Sequence, residues 1–125
     1  MSDENKKAAI AYFEKAINDF DPATAIALYG GPEYKQHNPL IEDGWAGLSN
    51  FVGWIRANFP EAHLDIKRTF ADGDFVVLHS EWVRTPGQRG EAVVDIVRFE
   101  QGRIVEHWDV IQPVPETAKN YNTMF

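Results

Sequence analysis

The chain contains no cysteine. That excludes disulfides, thiol nucleophiles and thiolate metal sites, and leaves the compartment open. No apolar run approaches the ~18 residues of a membrane span. The polar start MSDENKK has no apolar stretch behind it, so no signal peptide is read and a cytoplasmic location is the expectation. Basic residues are in the minority: 12 Lys and Arg face 19 Asp and Glu, for a net charge of −7. A surface of that sign repels nucleic acid and anionic membrane, which excludes both as main partners. Internal repeats, low-complexity tracts and linkers are also missing. What remains is 125 residues, 44% hydrophobic and 25% charged, the profile of one folded domain over 1–125 with a single modest core.

The most informative stretch is residues 91–112, EAVVDIVRFE and RIVEHWDVIQ joined around Gln101-Gly102. Both arms are rich in β-branched and aromatic residues, and the short Gly-containing connection predicts a β-hairpin. Asp95 shares side-chain parity with Val93, Val97 and Phe99, while His107 and Asp109 share it with Val105 and Ile111. Alternation sends residues two apart to the same face. Three ionisable groups therefore stand among apolar neighbours, where a charge must be paired, hydrogen-bonded or neutralised. This pattern predicts a lined pocket.

Upstream, residues 3–20 predict an amphipathic helix with Ala9, Phe13, Ala16, Ile17 and Phe20 on one stripe. Asp21-Pro22 restarts a short helix that Gly30-Gly31-Pro32 ends. Residues 33–46 are expected to be irregular, because Asn38-Pro39 and Asp43-Gly44 both mark turns. A third helix is expected at 46–58, stopped by Pro60. Beyond it the periodicity changes to strands, at 62–71 and 75–84. The first places Leu64, Ile66, Arg68 and Phe70 on one face. In the second, Phe75, Val77, His79 and Val83 oppose Val76, Leu78 and Trp82. With both faces apolar, one is expected under the helices and the other, carrying Val76, Leu78 and Trp82, under a second subunit. Three helices followed by four antiparallel strands make an α+β domain, whose curved sheet leaves a ligand-sized mouth. The tail after Gln112 is either disordered or folded back over one end.

Several residues invite a chemical reading. Asp109 is the candidate acid/base, since a poorly solvated carboxyl group retains its proton toward neutral pH. His37, His79 and His107 are candidate donors to a developing oxyanion. Asp95 and His107 suit a carboxylate–imidazole pair that orients the ring. Each has a plainer alternative: a satisfied polar pair, a core histidine or a structural tie. His37 is read as functional and Asn38 as a turn residue before proline. Tyr34, Trp45 and Trp108 are read as pocket lining. His79, Asp95, His107 and Asp109 are metal-ligand types, but no His-x-x-x-His or His-x-x-Glu pairing accompanies them, so no metal is expected.

The order of elements, the segment YKQHNP, the turn ADGD, the run AVVDIVRFEQGRIVEHWDV and the ending NYNTMF together resemble the SnoaL-like proteins of the nuclear-transport-factor-2-like superfamily. The resemblance spans nearly the whole chain and is most specific at HNP, VDI and EHWDV. It implies a cone-shaped α+β barrel, in which three N-terminal helices wrap a curved, mostly antiparallel sheet, and a homodimer formed through that sheet. It also implies a deep apolar pocket for a small molecule, with no metal or organic cofactor. In the family's polyketide cyclases an acid late in the sheet drives an intramolecular aldol closure, and the matching position is Asp109. A cyclase of the family carries histidine where this chain has Asp95. The superfamily also holds isomerases, epoxide hydrolases, dehydratases and non-catalytic binding modules, so the resemblance alone leaves the chemistry open.

Overall fold

The computed structural model describes residues 2–125. The first helix, α1 (Ser2–Phe13), continues as a π-helical segment, Glu14–Asn18, instead of running to residue 20 as an α-helix. The wider turn brings Asn18 to the sheet, where its Nδ2 donates to the Leu64 carbonyl (2.8 Å) and its Oδ1 accepts from the Leu64 N–H (2.7 Å). One side chain thus satisfies both backbone groups of a strand residue. Helix α2 (Pro22–Tyr29) starts as expected, with Thr24 N–H donating to Asp21 Oδ1 at 3.1 Å. Helix α3 (Gly44–Asn58) begins two residues earlier than the turn signals suggest.

The sheet has five strands rather than four: β1 (Gly30–Gln36), β2 (His63–Asp72), β3 (Phe75–Val83), β4 (Glu91–Glu100) and β5 (Arg103–Pro113). Their order is β1-β5-β4-β3-β2, with β1 parallel to β5 and every other pair antiparallel. β1 replaces part of the irregular segment expected at 33–46. Its sequence, GGPEYKQ, lacks strand alternation because it lies at a sheet edge, where glycine and proline are tolerated. A Cβ on Gly31 would lie 2.6 Å from Val105 Cγ1, and one on Gly30 would lie 2.8 Å from the Trp45 ring. Glycine is what lets this edge close against β5 and α3. In the β4–β5 hairpin, Gln101 and Gly102 both have positive φ, 51° and 77°, as a two-residue turn of mirror-image type requires. The sheet is open and curved, with the helices packed on one side, so the cone is not closed into a complete barrel.

The helices cover the face that carries Val76, Leu78 and Trp82, all buried, together with Val93, Val97, Phe99 and Ile104. That corrects the expected subunit surface. Those three side chains are spent on the protein's own core, and the free face is the opposite one. A register shift between Ile66 and Arg68 also reverses the parity of β2 partway along. Phe70 consequently leaves the face of Leu64 and is 58% exposed. The outer face presents Phe70, Phe75 and Val110. The tail does not close the cone. It returns over the outer face, where Phe125 stacks on His79 with ring centroids 6.1 Å apart and Lys67 Nζ lies 5.9 Å from the Phe125 ring centroid. No helix among the described residues is long and apolar enough to cross a membrane.

Within the core, the fully buried Ser80 hydroxyl finds no hydrogen-bond partner among the described residues. An unmatched buried hydroxyl costs about 1–3 kcal/mol. Ser80→Ala is therefore expected to raise the thermal midpoint by about 3 °C or more, read by calorimetry. A lower midpoint would show that the hydroxyl is satisfied in solution.

Candidate functional site

Between the helices and the covered face lies a narrow cavity of about 90 Å³. Tyr12, Phe13 and Ile17 line it from the first helix, Leu48 and Phe51 from α3, and Leu64, Trp82 and Val93 from the sheet. The π-helical widening after Phe13 is what carries Ile17 onto the same wall. At one end the lining becomes polar: Gln36, Asn38, Asp95, His107 and Asp109.

The hairpin builds that end. Asp95 stands opposite Asp109 in the β4–β5 register, and His107 lies one alternation back on the same face. His107 Nε2 is 2.8 Å from Asp95 Oδ1 and 3.9 Å from Asp109 Oδ2. Both members of the first contact are buried, at 5% exposure each. Burial pushes the Asp95 carboxyl above its ordinary value; the His107 contact opposes this and the Asp109 charge adds to it. The Asp95–His107 pair read from the sequence is thus in place, with Asp109 beside it.

Other expected residues fall elsewhere. Trp108 and Val110, neighbours of Asp109 in sequence, point to the opposite face by strand alternation and do not desolvate it. Trp108 instead stacks on His37 at 4.7 Å and lies 6.0 Å from Phe75, on the outer face. His37 is held there by Glu106, its Nε2 2.6 Å from Oε2. His79, also on the outer face, contacts the Arg68 guanidinium. His37, His79 and Trp108 therefore do not line the cavity. Tyr34 does, and Trp45 backs it, stacked at 4.0 Å with its Nε1–H donating to the Gly31 carbonyl.

At the cavity the structure places Asn38 and not His37. Asn38 Oδ1 accepts from the Leu40 N–H at 2.8 Å, which is the turn role expected of it. Its Nδ2 also reaches both Asp109 oxygens, at 3.0 and 2.9 Å. Gln36 was missed in the sequence. Its Oε1 lies 2.7 Å from His107 Nδ1 and 3.1 Å from the Asn38 N–H, and its Nε2 lies 3.3 Å from the Tyr34 hydroxyl. Nothing in an edge strand without alternation announces it; only the pairing of Gln36 with His107 does.

Asp95, His107 and Asp109 also offer ligand atoms within 4.8 Å of one another. These are donor types that a divalent cation accepts. Here they are already engaged by hydrogen bonds, Nε2 with Asp95 and Asp109 with Asn38.

A family model described as the SnoaL-like domain matches residues 9–107. The chain belongs to that family. Solved structures agree. A candidate hydroxylase, AclR of Streptomyces galilaeus, is 25% identical with a TM-score of 0.73, covering 90% of this chain and 81% of that one. A candidate polyketide cyclase of Acidithiobacillus ferrooxidans is 24% identical with a TM-score of 0.71, covering 86% and 87%. A cystatin-fold protein of Novosphingobium aromaticivorans is 23% identical with a TM-score of 0.74, covering 88% and 98%. The last two, under 25% identical, bear on the fold alone. No curated protein sequence matches the chain. The family match stops at His107, two residues short of Asp109.

Proposed function

We propose that this SnoaL-like domain is an enzyme of lyase or isomerase type, catalysing acid/base chemistry on a small apolar carbonyl compound without a cofactor. Enolisation is the shared first step of aldol cyclisation and isomerisation. The observation that carries the reading is the pair of facing carboxylates that bracket an imidazole at the end of an otherwise apolar cavity. Asp109 takes the proton alpha to the carbonyl. Asp95, whose carboxyl is held above its ordinary value by burial, and His107 share a proton that can be given to the enolate oxygen. No Lys or Arg lines the cavity among the described residues, which favours an uncharged substrate over a carboxylate or phosphate.

The test is hydrogen–deuterium exchange alpha to the carbonyl. Chelator-treated protein in D₂O is given cyclopentanone or phenylacetone, and exchange is followed by proton NMR. Exchange well above the buffer rate, unaffected by the chelator, is the expected result; buffer-level exchange with both ketones would sink the enzyme reading. The narrowness of the cavity favours a second reading, a module that holds a small apolar ligand without turnover. Ketone-induced shifts of the Asp95 and His107 signals without exchange would support that instead.

The reading includes a homodimer through the outer sheet face. Phe70, Phe75 and Val110, at 58%, 41% and 70% exposure, form an apolar surface beside Trp108, and surfaces of this kind mark association sites. Val110 lies opposite Val94 on that face. Sedimentation at micromolar concentration is expected to give a dimer for the native chain and a monomer for Val110→Lys. A native monomer would overturn the assignment.

A further inference from the structure

We infer that Gln36 is the positioning residue of this site: it fixes the His107 proton on Nδ1, so that Nε2 and Asp95 share a single proton between them. The inference deepens the acid/base reading above and rests on it for its catalytic consequence, though not for its structural claim.

The orientation of the Gln36 amide settles the donor roles. The Asn38 backbone N–H can only donate, and it points to one end of the Gln36 amide at 3.1 Å. That end is therefore the oxygen, and the nitrogen end faces the Tyr34 hydroxyl. Burial keeps the Tyr34 and Tyr12 hydroxyls protonated, and they hydrogen-bond to each other, so the amide nitrogen has a ready acceptor. The oxygen end also meets His107 Nδ1 at 2.7 Å. An amide oxygen has no proton to give, so Nδ1 must carry one. The backbone supports this contact. Gln36 pairs with His107 in the parallel β1–β5 ladder, and the Gln36 N–H is held by Asp43 Oδ1 at 2.8 Å.

With Nδ1 protonated, only two proton arrangements satisfy the 2.8 Å contact between Nε2 and Asp95. Either the ring is an imidazolium facing a carboxylate, or a neutral ring accepts from a protonated Asp95. Both place one proton in that contact. The remaining neighbours of the ring are Asp109 at 3.9 Å and the Phe13 and Tyr34 rings, about 6 Å away between centroids. None of them competes for Nδ1. Without Gln36, a neutral ring would turn its single N–H to the Asp95 carboxylate, and that proton, held by a neutral imidazole beside a carboxylate, would be too weakly acidic to be given to a substrate.

The experiment is long-range proton–nitrogen NMR of ¹⁵N-histidine protein, which reads the protonation of each ring nitrogen directly. In the native chain His107 Nδ1 is expected to give a protonated-nitrogen shift. In Gln36→Leu it is expected to move to the unprotonated shift, with Nε2 carrying the proton. Gln36→Glu keeps an acceptor in place and is expected to retain the protonated Nδ1. An unprotonated Nδ1 in the native chain overturns the inference whether or not the variants fold, and so does an Nδ1 that stays protonated in folded Gln36→Leu. If ketone exchange is active, Gln36→Leu should slow it about 10–100-fold, as loss of an orienting partner commonly does, with Gln36→Glu closer to native. A protonated Nδ1 without any exchange activity would leave this inference standing and remove only the enzyme reading.

Discussion

Asp109→Asn is expected to slow ketone exchange by roughly 10²–10⁴-fold, the usual contribution of a positioned acid/base group. The substitution keeps the shape of the side chain. One of the two contacts from Asn38 Nδ2, now at 3.0 and 2.9 Å, survives as a bond to the new amide oxygen. The fold and the dimer should therefore be unchanged, with the thermal midpoint and the sedimentation profile matching those of the native chain. What is lost is the oxygen that receives the substrate proton. Because that transfer occurs only in the transition state, the loss should fall on kcat and on kcat/KM together. A native exchange rate in this variant would remove Asp109 from the mechanism. The same variant bears on Asp95. Removing the Asp109 charge removes one of the influences that raise the Asp95 carboxyl, so Asp95 should ionise at lower pH.

The sequence makes the hairpin legible because its signal is local. Alternation puts His107 and Asp109 on one face of β5, but the Gln101-Gly102 turn alone would set Asp95 opposite Trp108. The register shift between Arg98 and Phe99 is what brings Asp95 opposite Asp109 and onto their face. The same alternation already argues that Trp108 lies on the other face, yet its aromatic character drew it into the expected lining. His79 shows a different limit. Parity groups it with Phe75 and Val77, but parity cannot say which face the helices cover, and the helices cover the face of Val76 and Leu78. β1 was illegible because it is a strand by virtue of its partner. GGPEYKQ has little strand preference of its own, and only its place beside β5 makes it extended. Since Gln36 and Asn38 are delivered by that strand and its exit, two of the five residues at the polar end of the cavity could not be read from the chain. The bulge in β2 that exposes Phe70 has no sequence signature either.

His107→Leu is expected to destabilise the protein by an amount that grows with pH. The side chain is similar in size, and Gln36 Oε1 keeps its contact with the Asn38 N–H. The damage therefore falls on Asp95, which remains buried without its partner. Burial is the leading influence on that carboxyl and raises it, while the His107 contact opposes the rise. Removing His107 leaves the upward shift unopposed. For a carboxyl whose folded value lies above its unfolded one, the contribution to stability is fully present below the unfolded value of 3.8. It is lost as pH rises through the folded value, at about 1.4 kcal/mol per pH unit within the window. Asp21, Asp43 and Glu106 shift the other way, but they belong to both proteins and cancel in the comparison. At pH 8 the deficit should reach about 3–5 kcal/mol, the cost of breaking a buried pair from one side. Denaturant midpoints at pH 5 and pH 8 measure it. The titration of the His107 ring is separated out by repeating the substitution in an Asp95→Asn background, where the rising part should vanish. If the deficit is the same at both pH values, Asp95 does not bear a charge next to His107. The proton of the pair would then rest on Asp95, with His107 as its neutral acceptor.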